Sequence, residues 1–456
     1  MQSRMIKAAL AGAAIVAGFG ENARSQQDDA GLTFTVGISS DLRTHDNLDL
    51  DPVSAGSTTR FDNRLRFGVV SETRRQKLAF NVAGTVRGED APGSGFSFGT
   101  ENASADLKYA LEGAGARFAF DAGFRRTDVD GFTLASEGVD PAGADLIADT
   151  GIRETRTAMM TLETGLNAPV GFALQLEHRG TRYQGTTDPG LYDRMTNSAR
   201  ATTSLRFSAL TVAKVTASVS RYEAKDATST TRDTRELSFG VAHEVSETTV
   251  VETSVGLREI DDSVTGEKRG PVVSLSLVRI LPRGQLVVRA NSEQTTTLRQ
   301  STIEVERQFA LPSGALTVGL GATQFKGLDA RAIGRLNYSH ELPRGQITAS
   351  LSRSFNVNDE ANIQRVTQGS LGVKYQINAP SALNFGVSYT DIRDAGTGGV
   401  VNRSSGSFRA AYQHELARDW ALSVGYERRY LMEAGSGTAN DNAVFVTLDR
   451  NISWRR

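Results

Sequence analysis

Residues 271–291 read PVVSLSLVRILPRGQLVVRAN, and this stretch contains the pattern on which the fold prediction rests. Val273, Leu275 and Leu277 alternate with polar residues, which is the two-residue period of a β-strand with one apolar face. The alternation stops at LPRG, residues 281–284. Proline presets φ for the first central position of a tight turn, and glycine accepts the left-handed conformation that closes a hairpin. The stretch therefore predicts a β-hairpin.

The same pattern repeats from residue 31 to the C-terminus, and the strands are separated by two kinds of connection that alternate along the chain. Tight turns are predicted at 74–76, 113–115, 167–170, 208–210, 246–248, 281–284, 311–314, 342–345, 378–381 and 417–419. Longer polar loops are predicted at 44–57, 89–97, 128–153, 184–196, 225–232, 261–268, 297–301, 326–329, 357–362, 394–402 and 434–441. Ten turns and eleven loops predict twenty-two strands, and no comparable segment sustains the 3.6-residue period of a helix.

The two faces of these strands differ along nearly their whole length. One face is aliphatic and aromatic in segment after segment, whereas the other carries Gly, Ser, Thr and charged residues. A soluble sandwich of this size would leave open sheet edges, but a ring that is apolar outside and polar inside has none. The apolar segments of about nine to eleven residues match a tilted strand that crosses a bilayer. We therefore predict an all-β fold, a single transmembrane antiparallel up-and-down barrel of about 22 strands, with short periplasmic turns and longer extracellular loops.

The N-terminus has the features of a secretory signal peptide. Arg4 and Lys7 precede an uncharged stretch over residues 8–20, and Ala23-Arg24-Ser25 fits a small-x-small cleavage pattern. The expected organisation is a signal peptide over 1–25, a short periplasmic segment over 26–30 and the barrel over 31–456.

Composition excludes several other classes of protein. The chain of 456 residues has 51 Lys and Arg against 52 Asp and Glu, which argues against a basic nucleic-acid binder. It contains no cysteine, so a disulfide scaffold, a thiolate metal site and a lipid-anchored N-terminal cysteine are excluded. A hydrophobic content of 39% is too low for a multi-helix membrane protein.

The last segment resembles the C-terminal strand of Gram-negative outer-membrane β-barrel proteins, since Val444, Val446, Leu448 and Ile452 alternate with polar residues before the aromatic Trp454. The resemblance is porin-like and extends over the whole mature chain as a pattern of residue types. It implies the outer membrane as location, outer-membrane lipid as surroundings, and the barrel assembly machinery as a partner of the C-terminal strand. Arg450 and the terminal Arg455-Arg456 depart from the pattern.

Charged residues on the polar face are the main functional candidates, because they would line a pore and act on permeating solutes. The predicted pore-lining residues are Arg60, Asp62, Arg64, Arg66, Arg125, Glu163, Glu177, Arg179, Arg206, Arg289, Arg335 and Arg409. The alternative interpretation is that opposite charges on adjacent strands only stabilise a wet interior. A long acidic loop at 129–153 is a candidate constriction loop, with Asp130, Glu137, Asp140, Asp145 and Asp149. It folds either into the lumen or outward, towards divalent ions and surface polysaccharide.

Catalytic and metal sites are not predicted. The five histidines lie in the first loop, on one strand and before three tight turns, where they are typical of an interfacial belt. No Ser-His-acid set is recognisable, HExxH is absent, and 128–131 is only a fragment of a calcium-binding loop. We therefore predict a chain that is not an enzyme and has no cofactor, metal site or nucleic-acid partner.

The leading hypothesis is a channel for passive or weakly selective passage of small polar solutes. A second hypothesis is an export portal or scaffold for polysaccharide or lipid that works with a periplasmic partner. A third, a plugged and energy-coupled receptor, is disfavoured because only about five residues precede the first predicted strand after the cleavage site. The sequence leaves the solute and the oligomeric state open.

Overall fold

The computed structural model describes residues 31–129, 149, 151–358, 362–396, 402–435 and 437–456. Within these residues the protein forms 22 antiparallel β-strands. The strands are β1 (Gly31–His45), β2 (Thr58–Glu72), β3 (Gln76–Ala91), β4 (Gly95–Glu112), β5 (Ala116–Asp128), β6 (Ile152–Thr164), β7 (Val170–Gln184), β8 (Arg194–Arg206), β9 (Thr211–Ala224), β10 (Thr231–Ser246), β11 (Thr249–Asp262), β12 (Gly266–Leu281), β13 (Gly284–Gln294), β14 (Arg299–Leu311), β15 (Gly314–Phe325), β16 (Arg331–Leu342), β17 (Gly345–Val357), β18 (Ile363–Asn378), β19 (Ser381–Asp394), β20 (Asn402–Ala417), β21 (Trp420–Glu433) and β22 (Gly437–Arg455). The signal peptide and the segment 26–30 predicted from the sequence lie outside the described residues.

The sheet is closed, because β1 pairs with β2 on one side and with β22 on the other. Each strand from β2 to β21 pairs with its two neighbours in the chain, so the barrel has the predicted up-and-down order. The predicted fold class is confirmed, and each predicted turn and loop coincides with a connection between strands. At the seam, the rings of Phe34 and Trp454 stack with their centroids 5.5 Å apart.

Arg450 has a partner that explains its place among outward-facing apolar residues. Its guanidinium lies over the ring of Trp420, with Cζ 5.0 Å from the ring centroid. The two residues are directly opposite each other in the register of β21 and β22, next to a tight turn. A cation over an indole face is favourable at such a boundary, so the departure from the C-terminal pattern is accommodated.

The glycines of the Leu-Pro-x-Gly turns have a different role from the predicted one. Only Gly284 has the expected positive φ, at 112°, whereas Gly314 and Gly345 do not. A Cβ atom at any of the three would overlap a carbonyl oxygen of the neighbouring strand. The requirement for glycine is therefore close backbone approach between hairpins, and left-handed geometry is needed at one of these turns only.

The exterior of the barrel is apolar. Large side chains such as Leu257, Leu320 and Leu351 are exposed to 70%, 68% and 55% of their area on this face. A continuous exposed apolar ring is stable when lipid covers it. Within the part of the chain that the structure describes, no helix is long and apolar enough to cross a membrane.

A charge on the outer face is expected to destabilise the barrel far more than a charge inside it. Val318→Arg would place a cation among lipid tails, with an expected loss of roughly 2–4 kcal/mol in folding free energy. Thr317→Arg is the matched control, since Thr317 lies on the opposite face between Gln308 and Asn337 in register. Urea titration of each variant folded into lipid vesicles measures both losses, and similar losses would contradict the assignment of the faces.

Candidate functional site

The polar face of the strands lines the interior. Asp188, in the connection between β7 and β8, lies with Oδ2 3.9 Å from a terminal nitrogen of Arg403 on β20. Counted the shorter way round the barrel, β7 and β20 are separated by nine strand pairings. The contact between Asp188 and Arg403 therefore crosses the interior. Arg403 shares its strand face with Arg409 by the two-residue period. By register, the same face carries Arg60, Asp62, Arg64, Arg66, Arg125, Glu163, Glu177, Arg179, Arg206, Arg289, Arg335 and Arg409.

Arg87 links three strands of the lumen wall through carboxylates. Its Nε and one terminal nitrogen donate to the two oxygens of Asp62 at 2.8 Å and 3.0 Å, a bidentate pair. Its other terminal nitrogen donates to Asp128 on β5. The Arg87 side chain is only 10% exposed, and beside this group Arg60 donates to Glu89. Such charge-assisted bonds are strong and directional, so they fix β2, β3 and β5 relative to one another.

An aromatic ring on the same wall contacts two arginines. The Cζ atoms of Arg43 and Arg409 are 4.9 Å and 4.3 Å from the centroid of Phe445. Glu427 accepts a 3.1 Å bond from Arg43 and lies 3.7 Å from Arg409. Gly425 faces the ring, where any Cβ would overlap Phe445. The sequence places Phe445 on the polar face, yet its role as a platform for two cations depends on neighbours that only closure of the barrel brings together.

His45 is not in the first loop, as the sequence suggested, but ends β1 and is 4% exposed. Its Nδ1 lies 2.8 Å from Oδ2 of Asp441, a fully buried carboxylate that also accepts from Nε of Arg429 at 2.8 Å. Arg429 further donates to the carbonyl oxygen of Leu48 at 3.1 Å. The loop between β1 and β2 is thereby held against the lumen wall. Local alternation could not reveal this group, because its members are separated by almost the whole chain.

A hollow of about 490 Å³ lies between this loop and the wall. Arg60, Arg87, Glu89, Glu101 and Asp128 contribute its charged lining, together with Asn47 and Asp51 of the loop. Cations and carboxylates thus line the same open, polar hollow. Such a lining suits hydrated, dipolar solutes better than apolar ones.

The opposite side of the ring carries a second charged group. Glu304 and Glu306 on β14 are 9% and 4% exposed. Arg335 lies 2.9 Å from Glu304 and 3.6 Å from Glu306, and Arg289 lies 3.9 Å and 3.7 Å from the same two carboxylates. Both arginine side chains are 46% exposed, so their free surface faces the lumen.

The other predicted pore-lining residues are distributed over the height of the wall. Arg66 lies 3.7 Å from Asp449, and Glu163 lies 3.6 Å from Arg117. Arg206 bonds to carbonyl oxygens of the turn between β6 and β7, so it stabilises the periplasmic end. Four more are placed by register between neighbouring strands: Arg64, Arg125, Glu177 and Arg179. The structure therefore brings together Arg60, Asp62 and their neighbours in one group and Arg289 and Arg335 in another, and the role of each in permeation remains a prediction.

The candidate constriction loop lies mostly outside the described residues, since Asp130, Glu137, Asp140 and Asp145 are among those not described. Asp149 is described, and its carboxylate accepts hydrogen bonds from N and Oγ1 of Thr187 at 2.6 Å and 2.9 Å and from N of Asp188 at 2.7 Å. Residues 185–193, which we call the strap, connect β7 to β8 and reach Arg403. Asp149, which the sequence assigns to the candidate constriction loop, thus anchors the strap.

The remaining histidines face outward and do not converge. His340 and His414 stack on Tyr338 and Tyr412, with centroids 6.0 Å and 6.2 Å apart. His178 is on the outer face with its Nδ1 2.7 Å from Oδ1 of Asn197. The described residues contain no group of three or more His, Asp or Glu side chains arranged to hold a metal ion.

Asp226 shows how a loop at the mouth satisfies its own carboxylate. Burial raises the pKa of Asp226, but hydrogen bonds from Thr230 and Thr228 outweigh this and hold the pKa below its ordinary value. The backbone nitrogens of these threonines donate at 2.9 Å and 3.1 Å. The ionised form is therefore bound within the loop that joins β9 to β10.

Solved structures of several receptors share this fold. The ferric enterobactin receptor PfeA of Pseudomonas aeruginosa, as the Q482A mutant in complex with enterobactin, matches with a TM-score of 0.55 and 12% identity, over 94% of this chain and 82% of that chain. The ferric-catecholate import receptor Fiu of Escherichia coli K12 matches with a TM-score of 0.56 and 11% identity, over 94% and 82%. The siderophore receptor PirA of Acinetobacter baumannii matches with a TM-score of 0.53 and 10% identity, over 94% and 81%. No protein-family model and no curated protein matches the sequence.

At these identities the likeness concerns the fold. The chain is a closed 22-strand barrel of the kind that outer-membrane receptors have, with an apolar exterior. The protein is therefore located in the outer membrane, as the C-terminal strand and the strand pattern predicted.

Proposed function

We propose that this chain is an outer-membrane channel through which small polar solutes pass, passively or with weak selectivity. The observation that carries the proposal is the charged lumen face, which runs from Arg206 at the periplasmic turns to Arg60 and Arg87 towards the extracellular end. A wall of paired cations and anions replaces part of the hydration of a polar solute and repels apolar ones. No residue is assigned a catalytic role in this proposal, and no cofactor enters it.

The two charged groups give the lumen a transverse asymmetry. On one side, Arg87 is almost enclosed by carboxylates, whereas on the other Arg289 and Arg335 expose nearly half of their side chains. Exposed guanidinium groups offer donors to a passing solute, and enclosed ones mainly hold the wall rigid. We therefore propose that Arg289 and Arg335 contact permeating solutes more than Arg87 does.

The strap is the part of the proposed pathway that limits entry. It crosses from β7–β8 to β20 and is held by Asp149 at its base and by Arg403 at its far side. A segment that crosses the mouth, as the strap does, reduces the open area and adds charge at the entrance. Both changes affect conductance and ion preference. The receptors of similar fold bind siderophores or ferric catecholates according to their names, and such a ligand would be a narrower version of the same transport role.

Single-channel recording tests the proposal directly. The full chain, refolded and inserted into a planar bilayer, should give ohmic openings, and vesicles that contain it should swell in small sugars or amino acids. Arg335→Gln should change cation-to-anion preference, because one exposed positive charge is removed while Arg289 stays beside Glu304 and Glu306. A silent bilayer with correctly folded protein would contradict the channel and favour the portal or scaffold that depends on a periplasmic partner.

Export of the chain is the second part of the proposal. We propose that residues 1–25 are removed and that the mature protein begins at Gln26. Mass spectrometry of the protein from purified outer membranes should give a mass that lacks this segment. Retention of residues 1–25 would refute the cleavage site without affecting the channel proposal.

A further inference from the structure

A group of arginines lies on the outer surface of the barrel just above its apolar belt, on β17, β18 and β19. On β17, Arg353 follows the exposed Leu351 by two residues and therefore shares its outward face. On β19, Arg393 lies on the same outer face as the exposed Tyr389, four residues further from the periplasmic turn. We call Arg353, Arg365 and Arg393 with the carboxylate between them, Asp391, the basic patch.

Asp391 organises the basic patch. Its side chain is 5% exposed, and its two oxygens accept from Arg393 Nε at 3.1 Å and from a terminal nitrogen of Arg365 at 3.0 Å. Ser404 donates a third bond to Asp391 at 2.8 Å. The carboxylate is thus saturated by described partners, and it holds two guanidinium groups in fixed positions on the outer surface.

The basic patch has more positive charge than its carboxylate neutralises. Arg365 and Arg393 are directly opposite each other in register, an arrangement that is unfavourable for like charges. Arg353, with its Nε 3.4 Å from Oγ1 of Thr367, adds a third cation on the neighbouring strand. Three arginines against one aspartate leave a net charge of two positive. Within the described chain, Nε of Arg365 is buried without a hydrogen-bond partner, and half of the Arg393 side chain is exposed.

We infer that the basic patch binds the phosphate groups of phosphorylated glycolipid in the outer leaflet. By the alternation of their strands, Arg353 and Arg393 lie on the outer face beyond the exposed Leu351 and Tyr389, at a height that matches lipid headgroups. Guanidinium groups offer paired donors that fit phosphate oxygens. A phosphate between Arg365 and Arg393 would remove their mutual repulsion and engage donors that Asp391 leaves unused.

A second arginine pair on the outer surface is balanced in charge. Arg235 and Arg269 flank Glu259 at 3.8 Å and 2.8 Å, and Arg269 also lies 2.9 Å from Glu267. Two arginines against two glutamates leave no net charge among these residues, so the basic patch differs from this pair by its excess of positive charge.

The test is the binding of bisphosphorylated lipid A to the full chain folded in detergent. Titration should raise the midpoint of thermal unfolding. The variant Arg365→Gln with Arg393→Gln should weaken the apparent affinity by roughly twenty-five-fold, since each arginine near a charged lipid surface contributes about a factor of five. Arg279→Gln is the matched control, because this exposed arginine is also on the outer face but lies near the periplasmic turn that follows β12. The control should bind lipid A as the parent chain does.

Three results would overturn the inference. They are an unchanged affinity in the double variant, an equal effect of lipid A without its phosphates, and an equal effect of inorganic phosphate alone at the same phosphate concentration. Heat-modifiable migration in gels reports folding for each variant. The single variant Arg393→Gln, at a half-exposed position, provides the measurement if the double variant fails to fold.

Discussion

Replacing Arg87 with methionine is expected to lower the free energy of unfolding by about 3–5 kcal/mol, because the carboxylates of Asp62 and Asp128 would lose the cation between them. The arginine is 10% exposed, and the two aspartates are 24% and 15% exposed. Chemical unfolding of the protein folded in lipid vesicles, followed by tryptophan fluorescence, measures this loss.

Arg335→Met is the control for this experiment. Arg335 also lies between two buried carboxylates, but a second cation, Arg289, lies 3.9 Å and 3.7 Å from Glu304 and Glu306 and stays in place. Because both carboxylates keep a cation, a smaller loss than that of Arg87→Met is expected. Asp62→Asn and Asp128→Asn, added to Arg87→Met, should recover part of the lost stability, since they remove the two carboxylates that Arg87 neutralises. Equal losses for Arg87→Met and Arg335→Met would show that the cation left beside Glu304 and Glu306 does not limit the loss.

The strand architecture could be predicted because it depends on local chemistry repeated many times. The two-residue period assigns each side chain to a face, and the short turns such as LPRG mark where the chain reverses. A ring of paired strands then follows from the need to satisfy every backbone hydrogen bond in lipid. This reasoning needs no knowledge of which residues meet across the barrel.

The charged groups depend on which residues meet when the barrel closes, and the local pattern does not contain this information. Asp441 meets His45 only because β22 closes on β1, and the stagger of that closure is not encoded in either strand alone. An irregularity in the pairing of β3 with β4, between Ala83 and Thr85, shifts the alternation. Glu101 therefore shares the lumen face with Asp106, although the two differ in parity.

The strap was missed for a related physical reason. Irregular backbone is positioned by single hydrogen bonds, and these leave no period in the sequence. The acidic composition of 129–153 directed attention to that loop, whereas the described contacts of Asp149 are with Thr187 and Asp188 of the strap. The constriction loop at 129–153 stays a prediction, and the contacts of Asp149 add the strap as a second candidate at the mouth.

Fixing the strap across the mouth is expected to reduce conductance, and shortening it is expected to increase conductance. The contact of Asp188 with Arg403, at 3.9 Å, is weaker than the bond of Arg403 Nε to Glu433 at 2.6 Å. Loss of this long, half-buried contact alone, worth about 1 kcal/mol, would change the fraction of strap that reaches β20 by about fivefold. A covalent link removes the withdrawn state altogether, so it gives the larger effect.

The chain has no cysteine, so Asp188→Cys with Arg403→Cys introduces the only thiol pair. A bismaleimide of suitable length should join the two positions, which are on distant strands in the ring, and the linked protein should conduct less than the same protein before linking. Each single cysteine variant, treated in the same way, should keep its conductance and thereby exclude an effect of the reagent. Deletion of Thr187–Leu191 should raise conductance, because the chain that crosses the entrance is then too short to reach β20. If the link forms and conductance does not change, the strap lies across the mouth without limiting the passage of ions, and the narrowest part of the pathway must be sought elsewhere along the charged lumen wall.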